Sequence, residues 1–300
     1  MQQLSDLRVL VAGGVGIDTI VMVPSLPLAE ADSIHVPAVY DYVAHTGNGV
    51  ALNLLALGHH SVLLDFIGAD AQAQLVHARY RERGLEFHGV VHPSGTRRSV
   101  NLVAPDGRRL SLYDGRHPDD LRMEREFYLP HLERAQHLHL TIMPWARHWY
   151  DDAAACGLPV STDLHDWDGS NPYYHDFARR SELVFLSTAA LRGRHERVMR
   201  EILETGCAAA VIAMAGAQGS YLLRRGDAGV LHVPCARLDL PVVDSNGAGD
   251  AFVSAFLHGK FQGMETEDCM RLGAIAGAYA CSVPGTAERS LSLAELAHYL

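Results

Sequence analysis

The sequence predicts an α/β fold in which a mainly parallel central sheet is flanked by helices. From about residue 120 onward, short apolar runs alternate with helical segments, which is typical of parallel strands connected by helices. The chain has 300 residues, 48% of them hydrophobic, and can therefore bury a large core. No repeat, low-complexity segment or linker divides it, so we expect a single domain over residues 1–300.

The first part of the chain predicts more strands than helices. A glycine cluster follows the first apolar run, but Thr19 stands where a dinucleotide-binding GxGxxG motif has its last glycine. Helices are expected at 50–57 and 71–83, each followed by a glycine that favours a helix end. Strands are predicted at 8–12, 17–23, 34–40, 61–67, 99–103 and 109–113, the last two joined by a hairpin turn at Pro105-Asp106-Gly107.

The remainder of the chain predicts regular alternation. Strands are expected at 136–141, 158–163, 182–187, 208–214 and 219–223. Helices are expected near 122–133, 146–155, 172–180, 193–205, 248–259, 266–282 and 291–299. In such a fold, a ligand site is expected at the carboxyl ends of the parallel strands.

Composition excludes several classes of partner. The formal net charge of −10 and the lack of a basic run argue against nucleic acid. Residues 1–6 are polar and the apolar run at 9–12 is too short to span a bilayer, so we expect neither a signal peptide nor a membrane partner. Five scattered cysteines without a CxxC pair indicate the reducing cytoplasm, and the 18 histidines show no recognisable metal-ligand spacing.

Lysine usage restricts the way in which phosphate can be bound. Lys260 is the only lysine among 25 basic residues, and it does not lie in a GxxxxGK[ST] motif. P-loop kinases and protein-kinase-type sites both place a lysine on the phosphates, so both classes are excluded. A nucleotide bound here must rely on backbone amides, arginine and metal.

Residues 244–252, Asp-Ser-Asn-Gly-Ala-Gly-Asp-Ala-Phe, carry the strongest functional signal. The glycines leave room for backbone N–H groups to face an anion, and the following helix adds its positive N-terminal end. The amides of Gly247, Ala248 and Gly249 are therefore predicted to form an anion hole. Asp250 lies in the first helical turn, where it can accept a proton from a hydroxyl while the amides hold the phosphoryl charge.

This stretch resembles the D-[ST]-x-G-A-G-D signature of the ribokinase-like, or PfkB-type, carbohydrate kinases. The match is complete over seven positions near the C-terminal end of the chain, and other family features recur in order along nearly the whole sequence. The resemblance implies a three-layer fold with a small β-sheet lid over the acceptor, built from strands within about 15–45 and 95–117. It also implies ATP and Mg²⁺ as cofactors, and it allows a homodimer through the lid.

The resemblance assigns acceptor-binding residues. Gly13 to Asp18 matches the G-x-x-x-x-D segment, whose Asp accepts hydrogen bonds from sugar hydroxyls. The segment from His45 occupies the place of the G-G-x-x-x-N motif, but its glycine doublet is broken. Gly49 falls where the family has its sugar-binding Asn, and either Asn48 or Asn53 could substitute for it. We select Asn48 as the candidate acceptor-binding residue.

The lid arginines could contact either the acceptor or the γ-phosphate. Arg97 and Arg98 point to opposite faces of a strand, so one of them is expected at the cleft, and we carry Arg98. Arg108 and Arg109 flank the hairpin turn and are expected in solvent. Because Asp18 repels a nearby phosphate, an unphosphorylated acceptor is preferred.

The nucleotide and cation sites rest on the resemblance alone. Gly216 and Gly219 match a turn beside the nucleotide, and Ala274 and Gly277 belong to the last helix before the loop that closes over adenine. In family members the first signature Asp, here Asp244, joins a later loop around a monovalent cation, which implies K⁺. The family's N-x-x-E motif is missing: Phe185 to Leu191 contains neither Asn nor Glu, so Mg²⁺ must be held mainly by phosphates and water.

These observations predict a cytoplasmic, ATP-dependent kinase that phosphorylates a hydroxyl of a small sugar. A nucleoside kinase of the same fold is the alternative within the enzyme class. The missing N-x-x-E motif and the broken glycine doublet also leave open a non-catalytic regulator that binds a sugar or nucleotide. The sequence does not identify the sugar, the hydroxyl or the oligomeric state.

Overall fold

A computed structural model describes residues 7–106 and 108–300, which form two sheets and surrounding helices. The expectations for residues 1–6 and for Gly107 of the hairpin turn lie outside the described residues. The strands are β1 Arg8–Ala12, β2 Gly16–Met22, β3 Tyr40–Ala44, β4 His60–Ile67, β5 Glu86–Val91, β6 Arg98–Val103, β7 Arg109–Asp114, β8 His137–Leu140, β9 Val160–Asp163, β10 Leu183–Ser187, β11 Ala210–Met214, β12 Ser220–Arg224 and β13 Leu231–Val233. The α-helices are α1 Thr46–Ala56, α2 Ala71–Arg83, α3 Arg125–Leu132, α4 Tyr150–Ala155, α5 His175–Arg180, α6 His195–Thr205, α7 Ala248–Phe261, α8 Thr266–Ala280 and α9 Leu293–His298.

The larger sheet has nine strands in the order β13-β12-β11-β10-β9-β8-β1-β4-β5. All neighbours from β5 to β11 pair in parallel, and β12 and β13 add antiparallel strands at one edge. The chain leaves β1 toward β4 on one side and later returns to β8 on the other, so the strand order reverses between β1 and β8. A ligand site is expected outside the carboxyl ends of the strands at such a reversal.

Two apolar layers cover the faces of this sheet. Leu10 and Ala12 pack into one core together with residues of α3, α4, α5 and α6. Val9 and Val11 face the other core, with residues of α1, α2, α7 and α8. Since successive side chains of a strand point to opposite faces, one short apolar strand supplies both layers. The predicted α/β class with helices on both faces is confirmed.

The smaller sheet has the order β3-β2-β6-β7. Its central pair, β2 and β6, is parallel, and the outer strands are antiparallel to their neighbours. The sheet is assembled from two separate stretches, 16–44 and 98–114, within the ranges expected for the lid. The wider assignment of residues 1–300 to a single kinase domain stays a prediction.

Local differences from the predicted elements have physical causes. The predicted strand at 34–40 is wrong, because β3 begins at Tyr40 and residues 34–39 are irregular. Pro37 lacks the N–H that a paired strand needs there. Strand β5 was not predicted: it is an edge strand with partly exposed side chains and a central glycine, Gly89, and so lacks apolar alternation. Among the described residues, no helix combines the length and apolar character needed to cross a membrane.

Candidate active site

A cleft of about 640 Å³ lies where the lid faces the carboxyl ends of β1, β8 and β9. Gly14 follows β1, and Ile142 to Trp145 follow β8, so the cleft opens at the reversal of strand order. Aromatic side chains form part of its wall. They are Tyr113, Trp145, Tyr173 and Tyr174.

The lid presents one polar face to this cleft. Asp18 of β2 pairs with Ser99 of β6, which in turn pairs with Tyr113 of β7, and all three line the cleft. Two residues further along, Asn101 and Ser111 form the next rung of the same face. The strand register therefore builds an array of hydroxyl, amide and carboxylate groups, which suits a ligand with several hydroxyls.

Asp18 lies beside a histidine that sequence reasoning did not assign. His45 Nε2 lies 3.2 Å from Asp18 Oδ1 and 3.3 Å from Ser99 Oγ. His45 has φ 73°, a left-handed conformation that is uncommon for a residue with a side chain. It stands in the segment where the family's glycine doublet is broken. A strained residue beside the predicted acceptor carboxylate indicates that its imidazole is needed there.

Asp250 lies next to the cleft, not in its wall. It is 8% exposed and occupies the first turn of α7. Burial raises the pKa of its carboxyl well above the usual value, and the nearby carboxylates of Asp163 and Asp18 raise it further. Gly49 of α1 makes room for it, because a Cβ at that position would lie 2.1 Å from Asp250 Oδ2. The structure thus brings together Asp18, Gly49 and Asp250, three of the residues selected from sequence.

The predicted anion turn forms at the start of α7. Gly247 caps the helix with φ 74°, and a Cβ there would press on Thr286, 3.3 Å away. Ala248, Gly249 and Asp250 are the first helical residues, whose N–H groups have no acceptor within the helix. The Ala248 N–H makes one long hydrogen bond, to Ser245 O at 3.4 Å. The residues present therefore fit a bound phosphate through the amides of this turn and the positive end of the helix.

Asp244 holds this turn against a second loop. Its carboxylate accepts hydrogen bonds from the backbone N–H and the side-chain amide of Asn246 and from Gly285 N, at 2.9, 3.0 and 2.9 Å. The loop that the resemblance joins to Asp244 is therefore in contact with it. A carboxylate has about four lone-pair positions, so one remains for a cation.

Asp163 was missed by sequence reasoning. It ends β9, is 3% exposed, and its Oδ2 lies 4.0 Å from a Cβ built on Gly249. Its other oxygen accepts the backbone N–H of His165 at 2.9 Å. An acidic residue at the carboxyl end of the predicted strand 158–163 was the available signal, since sites in this class of fold lie at strand ends.

The predicted role of Asn48 at the acceptor stays a prediction, and its surroundings can be described. Asn48 is fully buried and does not line the cleft; its amide donates to Val43 O at 3.1 Å and Thr286 O at 3.4 Å. Asn53 likewise bonds within α1, to Gly49 O at 2.8 Å. The Asn48 amide thus joins two backbone segments, whereas the Asn53 amide stays within its helix.

The arginines of the lid differ in their access to the cleft. Arg97 lines the cleft and Arg98 does not; the Arg98 guanidinium approaches Thr19 Oγ1 at 3.5 Å. Arg109 is exposed, as expected, and it also lines the cleft and donates to Asn246 Oδ1 next to the anion turn. The role of Arg98 at the site stays a prediction, because strand alternation alone does not tell which face of the strand meets the cleft.

The predicted nucleotide residues lie on two elements beside the anion turn. Gly216 starts a 3-10 turn after β11, and Gly219 ends it with φ 91°. Ala274 and Gly277 belong to α8, and a Cβ on Gly277 would lie 3.2 Å from Ala248 O. None of the four lines the cleft described above. Their assignment to the nucleotide stays a prediction.

Two further groups of titratable residues lie outside the cleft. Lys260, in the last turn of α7, is 3.7 Å from Glu182 and takes no part in the site. Glu86, His88 and His131 bring possible metal-ligating atoms within 4.8 Å of one another at the edge strand β5, but Glu86 is already bonded by Arg8 at 2.8 Å. The sequence could not show this group because His131 lies on α3, far along the chain from Glu86 and His88 on β5.

Comparison with known proteins gives a consistent family. The model of the pfkB family carbohydrate kinases matches residues 176–292. Acarbose 7(IV)-phosphotransferase from Actinoplanes sp. is 43% identical over 289 residues, which cover 96% of this chain and 96% of that protein.

Solved structures give the same result for the fold. The microbiome-derived acarbose kinase Mak1 superposes with a TM-score of 0.91 at 45% identity, covering 98% of this chain and 99% of that one. The ribokinase of Arabidopsis thaliana, solved with ribose and ATP, superposes with a TM-score of 0.82 at 19% identity over 98% of this chain and 99% of that one. At that identity, the likeness shows the fold alone.

Proposed function

Because the chain belongs to the pfkB family of carbohydrate kinases and is a sugar kinase, we propose that it transfers the γ-phosphoryl group of ATP to a hydroxyl of an acarbose-like oligosaccharide. The observation that carries the mechanism is the buried Asp250 carboxylate at the N-terminus of α7, beside the amides of the first helical turn and close to Asp18. The oligosaccharide acceptor is suggested by the relatives named for acarbose and by the size of the cleft.

In the proposed reaction, the acceptor oxygen forms a bond to the γ-phosphorus as the bond to the β-phosphate oxygen breaks. Asp250 takes the hydroxyl proton, and ADP leaves with the electron pair of the broken bond. A base with a raised pKa takes up a proton more readily than an ordinary aspartate, which suits this role. The amides of Gly247, Ala248 and Gly249 hold the charge on the phosphoryl oxygens.

The acceptor is oriented by the lid. We assign Asp18 to accept hydrogen bonds from sugar hydroxyls, with His45 fixing the carboxylate on one side. Gly49 contributes by its missing side chain, which leaves the space that the Asp250 carboxylate occupies. Arg97 replaces Arg98 as the lid arginine directed at the acceptor.

The residues present also fit the expected ions. Asp163 offers a buried carboxylate oxygen near the anion turn, where it would hold a water of Mg²⁺; the ion supplies charge neutralisation to the phosphates. Asp244 would hold K⁺ through its remaining lone pair, together with carbonyls of the loop at 280–285. Both assignments are proposals.

The same reasoning extends to partner and location. Leu110 and Leu112 leave apolar side chains exposed on the lid, which supports a homodimer through this sheet. Unpaired cysteines at the described positions and the requirement for ATP support the cytoplasm. Nothing in the charge pattern favours nucleic acid.

Steady-state kinetics of Asp250→Asn with ATP and acarbose test the proposal. We expect kcat to fall by roughly 10²-fold or more, with ATP binding retained. Asp268→Asn is the matched control, since Asp268 occupies the first turn of the neighbouring helix α8 but is exposed. Turnover within threefold of wild type for the Asp250 variant would exclude it as the base. If the wild-type protein binds sugar or nucleotide without turnover, the alternative of a non-catalytic regulator is supported. If it prefers a nucleoside as acceptor, the alternative of a nucleoside kinase is supported.

A further inference from the structure

One wall of the cleft carries buried polar groups that lack a partner. In the chain as described, Arg97 Nη2, Trp145 Nε1 and His117 Nδ1 have no hydrogen bond, and all three residues line the cleft. Arg97 is 2% exposed and Trp145 is 1% exposed. A buried donor or acceptor without a partner costs about 1–3 kcal/mol, so three such atoms at one wall indicate a place that a ligand fills.

Arg97 is held rigidly by a buried carboxylate. Its Nη1 donates to Asp65 Oδ2 at 2.7 Å and to Val15 O at 3.3 Å. Asp65 is fully buried and is itself fixed by the backbone N–H groups of Val15 and Phe66. The positive charge of Arg97 is therefore neutralised by the Asp65 carboxylate, while Nη2 stays available as a donor. Such a group suits a neutral hydroxyl better than a phosphate, which needs a net positive charge.

His117 supplies an acceptor next to this donor. Its Nε2–H donates to Gly95 O at 3.1 Å, which leaves the lone pair of Nδ1 free. Burial, followed by the charge of Arg97, lowers the pKa of His117 to about 4, so the ring is neutral at physiological pH. Sugar hydroxyls both donate and accept, so they match a set of two donors and one acceptor. A phosphate, with acceptors only, would face the His117 lone pair unfavourably.

This group is separate from the Asp18–His45 pair but adjoins it. Tyr113 lies beside both: its ring centroid is 5.7 Å from that of His45, and its phenol is among the groups that act on the Arg97 guanidinium. The cleft of about 640 Å³ exceeds what one sugar ring, with about a dozen non-hydrogen atoms, requires. The Asp18–His45 pair and the group of Arg97, His117 and Trp145 therefore lie in a cleft with room for two sugar rings.

We propose that Arg97, His117 and Trp145 form a second sugar subsite, which binds a ring adjacent to the one that is phosphorylated and selects oligosaccharide over single-ring acceptors. This inference rests on the proposed sugar kinase activity. The subsite recognises neutral hydroxyls through the free Nη2, Nε1 and Nδ1 atoms.

The test compares acarbose with its one-ring fragment in Trp145→Phe, which removes one donor and keeps an aromatic ring. The kcat/KM ratio of acarbose to the fragment should fall roughly fivefold or more, as loss of one hydrogen bond predicts. Trp149→Phe is the matched control: its Nε1 is also buried and unpaired, but it does not line the cleft, so the ratio should stay at the wild-type value. An unchanged ratio in Trp145→Phe would overturn the proposal.

Arg97→Lys provides a second measurement, because it keeps the charge opposite Asp65 but removes the free Nη2. A fall in the same ratio supports the subsite, and a ratio equal to wild type counts against it. If Arg97→Lys fails to fold, as a melting curve would show, Trp145→Phe decides. If wild-type protein turns over no sugar, the proposed function fails, and calorimetry of acarbose binding tests the subsite alone. Weaker binding to Trp145→Phe than to wild type supports it, and equal binding or none overturns it.

Discussion

Gly49→Ala should disable the enzyme with little loss of fold. The added Cβ would lie 2.1 Å from Asp250 Oδ2 and 2.7 Å from Asp250 Cβ, whereas ordinary contact begins at 3.4 Å. The carboxylate must therefore move by about 1.3 Å, the difference between 3.4 and 2.1 Å, and the contact at Cβ prevents rotation of the side chain from relieving the clash. A misplacement of about 1 Å costs roughly 10²-fold in rate. We expect kcat to fall by that factor.

Stability should respond far less than the rate. Alanine favours the helix over glycine by about 0.5–1 kcal/mol, and overpacking costs about 1–3 kcal/mol, so the two effects partly cancel. The assay is ATP-dependent phosphorylation of acarbose, with Tm measured in parallel. Gly259→Ala is the control: it lies in the same helix as Asp250, and its Cβ would lie 3.0 Å from Cys269 Sγ and from Leu272 Cδ1, so its nearest neighbours are not carboxylates. If Gly49→Ala retains kcat within threefold of Gly259→Ala, the geometry proposed for the base is refuted.

Three further results are expected. Asp250→Asn should raise Tm at neutral pH. Because the folded-state pKa of Asp250 is raised, the wild-type protein loses stability as pH rises above about 4, the ordinary pKa of an aspartate, and asparagine avoids that cost. The difference in Tm between variant and wild type should widen from pH 4 to 7, and a constant difference would contradict this expectation. Replacing a bulky organic cation by K⁺ should raise turnover through Asp244, whereas equal initial rates would remove K⁺ from the mechanism and leave the kinase assignment intact. An unphosphorylated sugar should have a higher kcat/KM than its phosphate ester, because the Asp18 carboxylate repels a nearby phosphate; kinetics on matched pairs check this, and the reverse order would disprove it.

Local patterns made most of the fold predictable. Strand β1 is an apolar run between polar and glycine residues, and α2 is bounded by Asp70 and Gly84, which cap it as their residue types favour. The predicted strand at 34–40 is wrong because an apolar composition takes no account of the backbone N–H that Pro37 lacks and that strand pairing needs. Strand β5 was not predicted because it is stabilised by pairing with β4, while its own sequence lacks the alternation of apolar and polar residues.

The site was predictable only where its residues are close in sequence. Gly247 to Asp250 form one turn, so spacing alone predicted that these residues lie together as a candidate anion hole. Arg97 and Asp65 are 32 positions apart, and their ion pair depends on how the lid docks on β4. The role of Gly49 was likewise invisible, because the carboxylate that fills its missing side chain comes from another helix.

Lys260 has a practical consequence for experiments on this enzyme. It lies ten positions after Asp250 on α7, so the two are separated by about 15 Å along the helix axis. With no other lysine side chain in the sequence, an amine-reactive dye or resin has one side-chain attachment point, on the end of the helix remote from the anion turn. Molecules tethered there would share one orientation with the cleft unobstructed, which suits single-molecule or surface-based detection of acceptor binding in the unaltered sequence.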